Sequence, residues 1–479
     1  MPRRLAARPS ALPRDQSGFR TLADQALSRA AGAPLSTGNR VRILRDAAEN
    51  YPAWARAILD ARTSIHIEMY IVHLDEVGRR FVELLATRAR EGVTVRVAYD
   101  WWGCGMAPAL GLFRPLVRAG GEVRPFNPPS FRSILGWLRR NHRKVITVDS
   151  RVSYISGLCI GKMWEGYPEK NLAAWRDTGV ELIGPAVAHV EQAFAESWRL
   201  AGGRIDTSSL PRAGSIPDAG PVALRVIPTE PFTANIFQLD LLVTAVARRK
   251  LWITDAYFIG HGPYVEALRR AASDGVDVRL LLPQGSDLGW SVPVARTLYR
   301  TLLESGVRIF EWTGSMIHAK TAVADDQWAR IGSTNLNLNS WLGNWEMDVA
   351  IEDADVARRL AEHFRQDLAE STEIVLGRQK PKPKPGAPAR VRAQRSARRA
   401  QRAVTGVGRS IGAAITGSRP LEDFEIAPLV GVGVLLVALA LLAWSRPEVL
   451  IWPFVVVAGW TGISFVAEAV AMWWRRRRA

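Results

Sequence analysis

The chain has 479 residues, of which 48% are apolar and 18 are Trp, so it can form large cores. Two cysteines, Cys104 and Cys159, are too few for a disulfide framework or a cysteine-rich zinc site. The net charge of +17 is uneven, because residues 378–419 contain twelve Lys and Arg and no acid. The region before them is only mildly basic. A nucleic-acid enzyme usually carries its positive charge on the catalytic body, so we expect no nucleic-acid partner.

The first 40 residues contain Arg, Ala, Pro and Ser without an apolar run, which excludes a secretory signal. We expect segment 1–40 to be disordered, with a helix possible at 19–29.

A strand-helix-strand pattern then occurs twice. The apolar runs 61–70 and 247–257 resemble each other, each leads into a helical pattern that stops at a glycine turn, and a second strand follows. The pattern predicts an α/β fold of two pseudo-symmetric repeats, each a mixed sheet flanked by helices. We place the repeats at 41–205 and 221–376, joined by a linker at 206–220, with the functional site at the seam between them.

The pattern His-x-Lys-x4-Asp also occurs twice, 176 residues apart. Residues two apart on a strand share a face, so each His and its Lys point the same way. Two histidines and two lysines can converge on one phosphodiester if the repeats face each other: one His attacks phosphorus, the other moves protons, and the lysines neutralise phosphoryl oxygens. The motif residues are His142, Lys144 and Asp149, then His318, Lys320 and Asp325.

The remaining candidates are polar residues near the two motifs. Strand alternation turns Asp149 and Asp325 away from the histidines, so we interpret them as local hydrogen-bonding anchors. Ser333 and Asn335 share a face and are available to a phosphate oxygen. No metal-binding pattern occurs among the seven histidines, so we expect no metal and no cofactor.

Two further carboxylates, Asp177 and Glu346, occupy equivalent places in the two repeats. A carboxylate bonded to one ring nitrogen of a histidine fixes its tautomer and leaves the other nitrogen free to attack. The alternative interpretation is that both are ordinary charges at strand ends.

The C-terminal region contains two apolar runs, 427–444 and 449–474, each about the 20 residues that a membrane span needs. We predict a transmembrane helical hairpin in 421–479, after a basic linker at 377–420. The positive charges of 378–419 and 475–478 predict that the catalytic body lies on the cytoplasmic side of the cell membrane. The same charges in 378–419 can bind anionic lipid headgroups. The purpose of Glu468, within the second run, is open.

From 41 to 374 the chain resembles the phospholipase D superfamily, and more closely its bacterial cardiolipin synthases. The resemblance is carried by five stretches: 141–149, 175–179, 255–258, 317–326 and 331–337. It implies a metal-free phosphatidyl-histidine intermediate, with His142 as nucleophile and His318 as general acid and then base. Two features depart from the family pattern: Cys159 occupies the place of the usual Asn, and the predicted anchor is C-terminal.

The resemblance implies a membrane-anchored phosphatidyltransferase that forms a cardiolipin-type lipid from phosphatidylglycerol or another phospholipid donor. A phospholipase D that uses water as acceptor is the alternative, because water and a lipid hydroxyl attack the same intermediate. A nuclease of the same superfamily fits the mildly basic body and the predicted anchor less well.

Overall fold

The structure, a computed structural model, describes residues 14–128, 139–376 and 459–460. Within these ranges the first repeat has seven strands: β1 (Ser36–Arg45), β2 (Ser64–Met69), β3 (Thr94–Asp100), β4 (Glu122–Phe126), β5 (Lys144–Val148), β6 (Val152–Ser156) and β7 (Thr178–Ile183). The second has eight: β8 (Val222–Thr229), β9 (Lys250–Thr254), β10 (Asp277–Pro283), β11 (Arg308–Trp312), β12 (Thr321–Ala324), β13 (Trp328–Gly332), β14 (Glu346–Glu352) and β15 (Ser371–Ile374).

The helices of the described residues lie between these strands. They are α1 (Arg14–Ala31), α2 (Asp46–Asp60), α3 (Glu76–Arg90), α4 (Trp101–Cys104), α5 (Arg114–Arg118), α6 (Lys162–Glu165), α7 (Val187–Leu200), α8 (Asn235–Val246), α9 (Gly262–Ser273), α10 (Ser291–Leu303) and α11 (Ala354–Ala369).

All fifteen strands join one sheet in the order β15-β11-β10-β9-β12-β13-β14-β8-β1-β7-β6-β5-β2-β3-β4. Reading outward from the central antiparallel pair β1–β8, both repeats follow the same strand sequence. Only β15, at the edge of the second repeat, lacks a counterpart. The mixed α/β repeat predicted from the sequence is therefore present.

Each repeat contains the predicted parallel strand-helix-strand unit: β2-α3-β3 in the first and β9-α9-β10 in the second. Both helices end just before a glycine in the left-handed region, Gly92 with φ 90° and Gly275 with φ 91°. Such a backbone conformation costs glycine little, and it turns the chain into the next strand.

The core has a cluster of buried side chains within each repeat and a third to which both contribute. In the shared cluster, Val145 and Val180 of the first repeat lie with Ile331 and Val349 of the second. The seam between the repeats is therefore packed apolar structure, which holds the two motif-bearing strands β5 and β12 in fixed relation.

The N-terminal segment corrects one expectation. We expected 1–40 to be disordered with a helix possible at 19–29, but its described part contains α1, which includes 19–29, and half of β1. The Arg225 guanidinium of β8 pairs with Asp24 of α1, which ties this helix to the sheet. Ordered structure therefore begins well before residue 41.

The predicted hairpin at 427–444 and 449–474 lies outside the described residues, apart from 459–460, as does the basic linker. Among the residues that are described, no helix is long and apolar enough to cross a bilayer.

Candidate active site

Each motif histidine is positioned by the other repeat. The His142 N–H donates to the Trp345 carbonyl at 2.8 Å, and the His318 N–H donates to the Arg176 carbonyl at 2.7 Å. Both carbonyls belong to the residue that precedes a candidate carboxylate. These backbone bonds bring each histidine against the carboxylate of the opposite repeat.

The side chains follow the same exchange. His142 Nδ1 lies 2.8 Å from Glu346 Oε2, and His318 Nδ1 lies 2.8 Å from Asp177 Oδ2. Both carboxylates are fully buried. An ionised carboxylate only accepts, so each imidazole donates from Nδ1 and keeps the lone pair of Nε2 for a reactant.

Each lysine lies on the same side of its strand as the histidine of its motif. The Tyr70 ring contacts the ring of His142, and Lys144 Nζ lies 5.0 Å from its centroid. Tyr257 stands in the same relation to His318 and Lys320, with Lys320 Nζ at 5.6 Å. Each lysine donates to the backbone carbonyl of its own motif histidine.

Electrostatics shows that the two motifs form one site. Burial lowers the pKa of His142 to about 4, and the charges of Lys144 and Lys320 lower it further against the opposing effect of Glu346. Burial also lowers the pKa of His318, with Lys320 and Lys144 acting in the same direction. The lysines of both motifs therefore act on each histidine, and together with burial they favour the neutral form of each imidazole.

The carboxylates and Lys320 are shifted as well. Burial opposes the ionisation of Glu346 and Asp177, but the paired histidine and nearby lysine outweigh it and hold the pKa of each below its ordinary value. Burial lowers the pKa of Lys320 to about 8. The site thus holds two carboxylates beside two lysines, so the charges of these four groups balance.

The two motif aspartates lie away from this cluster. Asp149 accepts from the backbone N–H groups of residues 62–64, and Asp325 from those of 248–250. Both follow the motif strands and clamp the entries to β2 and β9. These contacts fit the local anchor role inferred from strand alternation.

Ser333 and Asn335, which we expected to be available to a phosphate oxygen, have hydrogen-bond partners within the protein. The Ser333 hydroxyl donates to Glu346 Oε2 at 2.6 Å, so it supports the carboxylate. Asn335 Nδ2 reaches Ser340 Oγ at 3.5 Å, while its buried Oδ1 has no hydrogen-bond partner among the described residues. Cys159, its counterpart in the first repeat, is buried.

Sequence reasoning missed the aromatic lining of the site. Trp164 and Trp175 contact the His318 ring, and Trp164 Nε1 donates to Asp177 Oδ2 at 3.1 Å. Tyr70 and Tyr257 carried a usable signal, because each follows closely after the first strand of its strand-helix-strand unit. The two tryptophans have no such counterpart. No group of three His, Cys, Asp or Glu side chains in the described part of the chain is placed to hold a metal ion.

Known proteins resemble the chain in sequence and fold. A family model described as "Cardiolipin synthase, PLD-like domain" matches residues 244–368. "Cardiolipin synthase A" of Pseudomonas syringae pv. syringae is 33% identical over 362 residues, which cover 74% of this chain and 73% of that protein. "Cardiolipin synthase" of Halalkalibacterium halodurans is 31% identical over 363 residues, 74% and 71% of the two chains. A crystal structure of phosphatidylserine synthase from Haemophilus influenzae superposes with a TM-score of 0.57 at 15% identity, covering 80% of this chain and 98% of that one.

Proposed function

Because the chain belongs to the cardiolipin synthases of the phospholipase D superfamily, we propose that it transfers a phosphatidyl group from one phospholipid to a hydroxyl of another. The proposed donor is phosphatidylglycerol and the product a cardiolipin-type lipid. The observation that carries the proposal is the exchanged pairing of His142 with Glu346 and of His318 with Asp177 in one buried site.

The first half of the reaction breaks the donor's phosphodiester. Nε2 of His142 attacks phosphorus, and a P–N bond forms as the P–O bond to the leaving glycerol breaks. His318 gives its Nε2 proton to the leaving oxygen. The negative charge of the bound phosphodiester raises the pKa of His318, so that a proton is available for this step.

The second half reverses the proton transfer. The acceptor hydroxyl gives its proton to His318 Nε2 and attacks phosphorus, the P–N bond breaks, and His142 is free again. Lys144 and Lys320 stabilise the charge on the phosphoryl oxygens in both halves. In this scheme the lysines supply the positive charge that a metal would otherwise supply.

The aromatic surroundings support this division of roles. Three ring centroids, those of Trp164, Trp175 and Tyr257, lie 5.6–5.9 Å from that of His318. An enclosed imidazole is suited to exchange its proton with bound reactants rather than with bulk water. Among the described residues, the His142 ring contacts the ring of Tyr70.

A lipid analysis tests the function. The full chain is expressed in a bacterial host that lacks cardiolipin, beside the His142→Ala variant as the matched inactive control, and lipids are measured by mass spectrometry. Cardiolipin with the intact chain alone is the expected result. Phosphatidic acid without cardiolipin would identify the hydrolase instead. No change in either lipid would reject both, and the nuclease would then be tested on DNA.

We also propose that the segment 421–479 anchors the protein in the cell membrane, with 378–419 on the anionic cytoplasmic surface. The two apolar runs and the flanking basic charges support this arrangement. Cysteine substitutions on either side of the runs, labelled with a membrane-impermeant maleimide, test it. Labelling of Arg409→Cys in intact spheroplasts, where only the outer face is open to the reagent, would contradict the proposed orientation.

A further inference from the structure

The exposed aromatic side chains in the described part of the catalytic body are few, and each can be traced through contacts to the active site. Over residues 23–128 and 139–376, where the structure describes side chains, three Trp or Phe residues are exposed: Trp102 (54%), Phe232 (72%) and Trp290 (57%). Single exposed apolar residues need no explanation, but exposed apolar side chains grouped around one site mark contact surfaces. We call these three residues the aromatic rim.

Trp102 is connected to the active site through Arg140. The Arg140 guanidinium lies 4.9 Å from the Trp102 ring centroid, and the Arg140 carbonyl accepts from Trp345 N–H at 2.9 Å. Trp345 in turn accepts the backbone bond of His142. The first member of the rim is therefore only a few contacts from the proposed nucleophile.

Phe232 stands on the same side of the site. The Arg139 guanidinium lies 4.8 Å from the centroid of the Phe232 ring. The backbone N–H of Phe232 donates to the Leu342 carbonyl at 2.9 Å. Its φ of 71° is in the left-handed region, which bulky side chains rarely occupy. The backbone bond to Leu342 holds the exposed ring in this costly conformation, which is typical of functional positions.

Trp290 lies on the side of the site that carries the second motif. It ends the loop after β10, together with exposed Leu288. Asp287 of the same loop accepts from the Tyr257 hydroxyl at 2.8 Å, and the Tyr257 ring contacts His318. The rim thus has members on the side of each catalytic histidine.

We propose that the aromatic rim is the surface on which the catalytic body lies against an anionic lipid bilayer, so that the site opens toward membrane lipid. The inference rests on the proposed lipid substrate. Trp and Phe are favoured at the membrane interface, and Arg139 and Arg140 supply positive charge beside two of the rings. A protein partner covering the same rim would separate the site from its lipid.

Residues near the N-terminal ends of β2 and β9 provide matched controls. Leu59 (49% exposed) and Val246 (56% exposed) lie at the ends of α2 and α8, close to the strand entries clamped by Asp149 and Asp325. Their exposure is close to that of Trp102 and Trp290, but they lie away from the site. The bilayer contact should leave them in water.

Depth-dependent quenching tests the contact on the full chain. Phe232→Cys and Trp290→Cys, with Leu59→Cys and Val246→Cys as controls, are each labelled with an environment-sensitive fluorophore in nanodiscs of phosphatidylcholine and phosphatidylglycerol. Native Cys104 and Cys159 are buried and should stay unlabelled. We expect lipids with a shallow acyl-chain nitroxide to quench the labels at 232 and 290 several-fold more than those at 59 and 246.

Equal quenching at all four positions, or none at 232 and 290, would overturn the proposal. The labels at 232 and 290 could instead be protected from aqueous iodide without lipid, and more so at higher protein concentration. That result would identify a second copy of the chain as the occupant of the rim and would also overturn the proposal. The two rim positions are independent, so failure of one variant to fold leaves the other informative. The readout requires no turnover, so it remains valid even if the proposed function fails.

An activity ratio provides a second measurement. Trp290→Ala should lower the ratio of turnover on bilayer lipid to turnover on monomeric short-chain lipid by roughly fivefold, because part of an aromatic burial is lost. Leu59→Ala should leave the ratio unchanged. A ratio that stays constant in Trp290→Ala would contradict the rim's contact with the bilayer, whereas absence of turnover on both substrates in the unmodified chain would contradict the function itself.

Discussion

The two repeats present equivalent histidine–carboxylate pairs in unequal surroundings. Glu346 accepts from Ser333 Oγ and Asn344 Nδ2 in addition to His142. Its shorter counterpart Asp177 accepts from Trp164 Nε1 and a backbone N–H in addition to His318. The two sequence motifs are nearly symmetric, but the hydrogen-bond donors around the two carboxylates differ. This difference suits two different catalytic roles.

The position equivalent to Ser333 explains part of this difference. It is Gly157 in the first repeat, where a Cβ atom would lie 2.1 Å from Asp177 Oδ1. The short carboxylate therefore requires a glycine beside it and loses the hydroxyl donor that Glu346 has. Trp164 replaces that donor and at the same time encloses His318. Within each repeat the length of the carboxylate side chain matches the residue beside it: Asp177 lies next to Gly157, and Glu346 lies next to Ser333.

Removing either histidine should have the largest effect. Turnover of His142→Ala and of His318→Ala should each fall by about 10³-fold or more, because the covalent and proton-transfer steps act as one unit. The double variant should be little slower than the single variants, as measured by release of glycerol from phosphatidylglycerol. If the loss of turnover in the double variant equals the product of the two single losses, the two histidines act independently.

The carboxylates separate the two roles. Glu346→Gln and Asp177→Asn should each lower turnover on the order of 10²- to 10⁴-fold, because the fixed tautomer is lost. A phosphodiester with a p-nitrophenolate leaving group needs no proton, so it should restore formation of the intermediate in Asp177→Asn but not in Glu346→Gln. Burst amplitudes of p-nitrophenolate measure this step. Equal rescue of both variants would mean that the two pairs are interchangeable.

The pH dependence tests the lysines. Lys320, with its pKa lowered to about 8, is charged below that pH and neutral above it. We expect kcat/KM to fall by about tenfold per pH unit above roughly pH 8, as positive charge leaves the free enzyme. Circular dichroism over the same range checks that the fold persists. A profile that stays level to pH 10 would show that the Lys320 charge is not required.

The motif aspartates should give the smallest catalytic effect. Asp149→Ala and Asp325→Ala each leave three backbone N–H groups without their acceptor, which should cost about 1–3 kcal/mol of folding stability. Turnover per folded molecule should change less than about threefold, since neither carboxylate lies at the site. Thermal unfolding and active-enzyme titration measure the two quantities. A large loss of turnover with unchanged stability would make these residues proton carriers after all.

Local patterns predicted much of the fold and of the site. Apolar alternation and the glycine stops defined β2-α3-β3 and β9-α9-β10, and motif spacing identified the histidines and lysines. The continuous sheet across β1–β8 and the exchange of carboxylates depend on contacts between distant segments, which leave no periodic signal in the chain. For the same reason the pairing of α1 with Arg225 and the contacts of Trp164 and Trp175 with His318 were missed.

The central claim is that the two unequal pairs share one reaction in which His142 carries the phosphatidyl group. Rapid mixing of the full chain with labelled phosphatidylglycerol, denaturant quench at neutral pH and peptide mass spectrometry locate the acid-labile adduct. The account predicts the phosphatidyl mass on the peptide containing His142, and its absence in His142→Ala. An adduct on His318, retained in His142→Ala, would contradict it.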